Sequence, residues 1–79
     1  MTQYDLTSKL HLAKNLRTLR IARKLSQVAL ATKAGIALRN YKRVEAGEIA
    51  TTVDTVDKLA GALGIAPAAL LMRTKVSVS

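Results

Sequence analysis

Apolar residues along this chain fall into short helical stripes separated by polar breaks and single glycines. Leu12, Leu16 and Leu19 recur at i, i+4 and i+7 with Ala13 beside them. That spacing predicts one buried face of a helix running from an N-cap at Ser8 to about Arg23. Lys24 stands where the chain turns back, a left-handed position that glycine adopts more easily. Leu25 then re-enters the core. Ser26 is a good N-cap for a short helix over 27–33, with Leu30, Ala31 and Ala34 inward. The small Ala31 predicts a close helix crossing. Gly35 supplies a turn and Ile36 anchors it. A third helix is expected from about Ala37 to Ala46, with only Tyr41 and Val44 facing the core and Gly47 closing it.

Thr52 caps a fourth helix over 53–63, where Val53, Val56, Leu59, Ala60 and Leu63 share helical spacing. Gly61 inside that helix costs about 1 kcal/mol against Ala and implies a close contact there. Gly64 ends it, Ile65 packs, and Pro67 opens a fifth helix to about residue 72. The pattern therefore predicts an all-α fold of five helices over 8–72. Residues 1–7 read as a loosely held arm with Tyr4 and Leu6 as anchors. Residues 73–79 read as a tail that is frayed or paired as a strand.

Charge changes this picture more than composition does. The chain of 79 residues carries a net charge of +8. Residues 1–47 hold ten Lys and Arg against Asp5 and Glu45, whereas Lys58, Arg73 and Lys75 balance Glu48, Asp54 and Asp57 beyond them. One half of a single small domain thus bears the whole excess and attracts polyanions. Chemistry of other kinds finds little material. There is no cysteine, and the single His11, beside the apolar stripe, reads as a boundary residue. Five scattered acids offer no paired carboxylates, no nucleophile with a base and no metal cluster, so neither an enzyme nor a cofactor is expected. No apolar run approaches the roughly 18 residues of a membrane span, and the start does not read as a signal peptide. A cytoplasmic protein is the expectation. A basic membrane-surface helix over 9–24 is the other use of such charge, but its leucines are better explained as core.

The ordered set of motifs carries a resemblance. Leu16-Arg17-Thr18-Leu19-Arg20 is followed by Leu25-Ser26-Gln27, Leu30-Ala31 and Ala34-Gly35-Ile36. Then come Tyr41, Val44-Glu45-Ala46-Gly47, Leu59-Ala60, Ala62-Leu63-Gly64-Ile65 and Leu70-Leu71. Over about residues 9–72 this resembles the helix-turn-helix family of lambdoid phage repressors and xenobiotic-response-element-type regulators. Restriction–modification controller proteins and some antitoxins are among its small members. The resemblance implies a five-helix lambda-repressor-like fold whose second and third helices bind DNA. It places Ala37, Leu38, Arg39, Asn40 and Arg43 toward base edges. Gln27 is implied at backbone phosphate, with Lys42 on the flank, and Ser26, Lys14 and Arg17 are expected as further phosphate contacts. It also pairs Arg20 with Glu45 as a buried ion pair. The residues support that pairing separately, because Glu45 lies beside the core residue Val44 and a buried carboxylate needs a partner.

Departures from the family pattern matter. The Ser or Thr that often caps the third helix is replaced by Ala37. Val28 and Ala29 stand where relatives have an acid. Leu38 either meets a thymine methyl or packs against the second helix and reads nothing. The implied function is a transcriptional regulator binding a palindromic double-stranded operator as a homodimer. Leu70, Leu71 and Met72 crowd the last helix and form the expected dimer surface, extended by Val76 and Val78, unless they only cap the monomer core. An antitoxin that binds a toxin protein as well as DNA, and an adaptor that keeps the fold without DNA, are the competing readings. RNA polymerase is a further expected partner of a regulator.

Overall fold

The computed structural model describes the backbone of residues 2–71 and the side chains of residues 10–71. Five helices succeed one another: α1 Thr2–Ala22, α2 Gln27–Ala34, α3 Leu38–Glu45, α4 Val53–Leu63 and α5 Pro67–Leu71. Among the described residues there is no strand. The first helix begins at Thr2, six residues before the expected cap at Ser8. Residues 2–22 contain neither Gly nor Pro, so nothing in the backbone stops the helix from running through Ser8. Met72 and the tail 73–79, with Val76 and Val78, lie outside the described residues.

Caps explain most of the other boundaries. The Ser26 hydroxyl accepts from the Ala29 amide at 2.9 Å, and the Thr52 hydroxyl accepts from the Thr55 amide at 3.2 Å. Each satisfies an amide that its helix start leaves free. Ala37 at the start of α3 has no side-chain cap. Four helices end in one kind of turn, in which a residue past a left-handed position donates back into the last helical turn. These bonds are Leu25 to the Arg20 carbonyl, Ile36 to Ala31, Glu48 to Arg43 and Ile65 to Ala60, all at 3.0 Å. The left-handed residue is glycine in three of them and Lys24, at φ 56°, in the first.

Packing obeys the stripes. α1 rests on α3 and α5, while α2 rests on α3 and α4. Leu12, Leu16, Leu30, Ala31, Ala34, Tyr41, Val44, Val56, Leu59, Ala60, Leu63 and Leu70 form one core. Leu19, Leu25, Ile36, Leu38, Ile49 and Ile65 lean on it from the edge. Three expectations fail here. Val53 is 78% exposed, because as the first residue of α4 it precedes the turn that meets the core. Gly61 has no close neighbour: a Cβ built there would meet nothing within 4 Å. Leu70 is fully buried in the monomer, because α5 packs on both α1 and α4 and its backbone is held by Asn15, whose amide donates to the Leu70 carbonyl at 2.7 Å. Leu70 therefore leaves the expected dimer surface, and Leu71, about half exposed, remains available.

Candidate nucleic-acid interface

The eight residues of α3 divide sharply by exposure. Tyr41 and Val44 turn inward and are 0% and 1% exposed. Arg39, Asn40, Lys42 and Arg43 stand in solvent, Ala37 before them is exposed, and Leu38 is half-buried against the core edge. Ridge residues at i and i+3, with Leu38 at the core edge, seat so short a helix and leave Arg39, Asn40, Lys42 and Arg43 free to meet a ligand. The helix start has no side-chain cap, so packing of Leu38 and Tyr41 holds it instead.

The last residue of this helix, Glu45, holds a largely buried carboxylate that three side chains address. Arg20 on α1 grips Glu45 with two parallel bonds, Nε to Oε1 at 2.8 Å and Nη2 to Oε2 at 3.0 Å. The Tyr41 hydroxyl donates to Oε1, and the Gln27 amide donates to Oε2 at 3.3 Å. The remaining Arg20 nitrogen, Nη1, donates to the Leu25 carbonyl at 2.9 Å. Side-chain exposure is 14% for Arg20 and 7% for Glu45. The expected ion pair is present, and it joins the end of α3 to α1, to the turn after α1 and to the start of α2. Burial by itself raises the Glu45 carboxyl. Hydrogen bonds from Arg20 and Tyr41, helped by the Arg20 charge and by Gln27, outweigh that and hold it below the usual carboxylate range. The bond to Glu45 raises the Arg20 guanidinium against the effect of burial. Burial, and then the bond to Glu45, push the Tyr41 phenol up.

The residues expected at phosphate gather only in part. Arg17, Arg20, Gln27, Lys42, Glu45 and Ala46 line one open cleft between α1, α2 and α3. Ser26, which precedes Gln27 in the chain, is exposed, and its hydroxyl proton is still free to donate while the oxygen caps α2. Lys14 is exposed on α1, one turn before Arg17. Two contacts are not evident from sequence. Tyr41 and Glu45 are four apart on one helix, a spacing that does bring side chains together, but the apolar pattern accounts for Tyr41 as core alone. Gln27 is expected to point outward, and its amide also reaches inward to Glu45.

A helix-turn-helix family model, HTH_3, matches residues 16–70. The chain belongs to the helix-turn-helix family. It is a DNA-binding transcription regulator by that membership and not an enzyme. Solved structures of family members superimpose on it. The hypothetical transcription factor NHTF from Neisseria is 28% identical, with a TM-score of 0.84 over 90% of this chain and 82% of that one. The restriction-modification controller protein C.AhdI from Aeromonas hydrophila is 34% identical, with a TM-score of 0.77 over 81% of this chain and 97% of that one. An HTH_3 family transcriptional regulator from Vibrio cholerae is 32% identical, with a TM-score of 0.80 over 84% of this chain. This chain spans 37% of the Vibrio protein. No curated protein sequence matches. Among the described residues, no helix is long and apolar enough to cross a membrane.

Proposed function

We propose that this regulator binds a palindromic duplex operator as a homodimer, with α3 lying in the major groove of each half-site. The observation that carries this reading is the division of α3. Two residues seat it, and four polar side chains, three cationic and one an amide, stand on its open face. Arg39 and Arg43 pair bidentately with guanine O6 and N7, and Asn40 with adenine N6 and N7. Each such pair discriminates by roughly 1–3 kcal/mol. Ala37 approaches base edges without obstructing them, and the exposed part of Leu38 meets a thymine methyl. Gln27, Ser26 and Arg17 in and beside the cleft hold one phosphate strand, with Lys42 and Lys14 flanking. The free amides at the start of α2 add donors of their own.

A single unit of this size makes a small interface, and two-fold symmetry repeats it on a second half-site about 34 Å away. The neutral second half of the chain is the surface left for that symmetry, with exposed Leu71 on it. The DNA target would place the protein in the cytoplasm. Selection of duplexes from a random pool tests the reading. Enrichment of a two-fold symmetric site with at least one G·C pair per half is the expected result. Arg39→Ala and Arg43→Ala should each relax the preference at one position, whereas Lys14→Ala should weaken all sequences alike. An unchanged ratio of selected to scrambled binding in both Arg variants refutes the assignment. Sedimentation that finds only monomer at every concentration, with and without the site, refutes the dimer.

A further inference from the structure

Four helices end in the same turn, and one of the four differs in the residue next in the chain. Leu25, Ile36 and Ile65 succeed the left-handed residues after α1, α2 and α4, and each leans on the core. After α3 the corresponding residue is Glu48. Its amide donates to the Arg43 carbonyl at 3.0 Å, so the main chain ties it to the residue its side chain faces. Gly47, at φ 75°, sets that turn, and a Cβ there would stand 3.2 Å from Leu10, so the turn is built closely against α1. Glu48 Oε1 then lies 3.7 Å from Arg43 Nε, and both side chains are more than half exposed.

We propose that Glu48 is a positioning residue that determines specificity through Arg43. The proposal rests on the reading of Arg43 as a base contact. A guanidinium presents two edges to a pair of acceptors, one through Nε and one through the two Nη nitrogens. A carboxylate 3.7 Å from Nε makes an ionic contact on the first side and leaves the second for guanine. The same carboxylate discriminates against wrong complexes. If Arg43 swings to a phosphate, Glu48 is left unpaired beside a polyanion, which penalises binding that does not use the base. In the free protein the pair is exposed and weak. Its effect grows when DNA displaces water around it.

The test compares wild type, Glu48→Gln and Arg43→Ala on the duplex selected by the wild type and on a scrambled duplex, across a salt series. Glu48→Gln should keep the wild-type melting temperature. It should lower the ratio of selected to scrambled binding about threefold or more, the scale of an exposed ion pair. Most of that change should come from tighter binding to the scrambled duplex. Its salt slope there should steepen by about 0.9, as for one more phosphate neutralised. If Arg43→Ala collapses the ratio and Glu48→Gln leaves it unchanged, the role of Glu48 is refuted while the base contact stands. If Arg43→Ala also leaves it unchanged, or no site is enriched, the base contact and the role of Glu48 fail together.

Discussion

Glu45→Ala removes the carboxylate that Arg20, Tyr41 and Gln27 all address. The loss is large because the partners do not leave with it. Arg20 keeps one bond, to the Leu25 carbonyl, and its side chain is only 14% exposed in the wild-type fold. The Tyr41 hydroxyl belongs to a fully buried residue and would lose its acceptor. Breaking a buried pair by removing one member costs about 3–5 kcal/mol. The partial exposure of Arg20 places this case near the lower end, about 3 kcal/mol. A domain of 79 residues has a total stability of roughly 4–12 kcal/mol. For a domain of this size each kcal/mol shifts the melting temperature by about 4–8 °C, so a fall of about 12–24 °C is expected. Circular dichroism melts and urea titrations measure it. A triple variant, Arg20→Met with Tyr41→Phe and Glu45→Met, removes the stranded charge and the stranded hydroxyl together and should regain most of the loss. A melting temperature for Glu45→Ala within about 2 °C of wild type would refute the reasoning. So would a triple variant no more stable than the single one.

The same carboxylate makes stability fall in acid. Its folded value lies below its unfolded one, so its contribution is complete above about pH 4.3 and is lost as pH falls through the folded value. Urea midpoints tracked downward from neutral pH should drop more steeply for wild type than for Glu45→Gln, and equal slopes would contradict this. Gly61→Ala should stabilise the protein by about 0.5–1 kcal/mol, because α4 gains a better helix former in open space. A lower urea midpoint would count against that. Lys24→Gly should also stabilise, by about 0.5–1 kcal/mol, since Lys24 holds φ 56°. The urea midpoint again decides, and a loss would mean that the lysine side chain contributes more than its backbone costs.

Much of the fold is legible in the sequence because its signals are local. Ser26 and Thr52 announce helix starts through a bond to an amide three residues on, and Gly35 and Gly64 announce helix ends. The strained place of Lys24 is legible for the same reason. The start of α1 is not, since Ser8 looks like a cap whether or not a helix already runs through it. Val53 and Gly61 mislead because periodicity marks a face without saying how far along its length that face is covered. Leu70 misleads because a count of apolar residues does not say which one α1 and α4 enclose.

On α3, the order of residues alone separates Tyr41 and Val44 from Arg39, Asn40, Lys42 and Arg43. Side-chain spacing on a helix comes from its pitch, so no tertiary information is needed. Sequence could not settle the full set of groups that Glu45 touches. Arg20 lies 25 residues away and Gln27 lies 18 away. Bonds over such distances exist only after three helices have packed, and their angles come from the core beneath them. Whether Gln27 points inward, and whether Glu48 meets Arg43, depends on that packing and on one turn at Gly47. The chain by itself determined most of its helix boundaries and the exposed face of α3. Tertiary structure alone decided that Tyr41 and Gln27 join Arg20 on the buried charge, and hence how firmly that face is held.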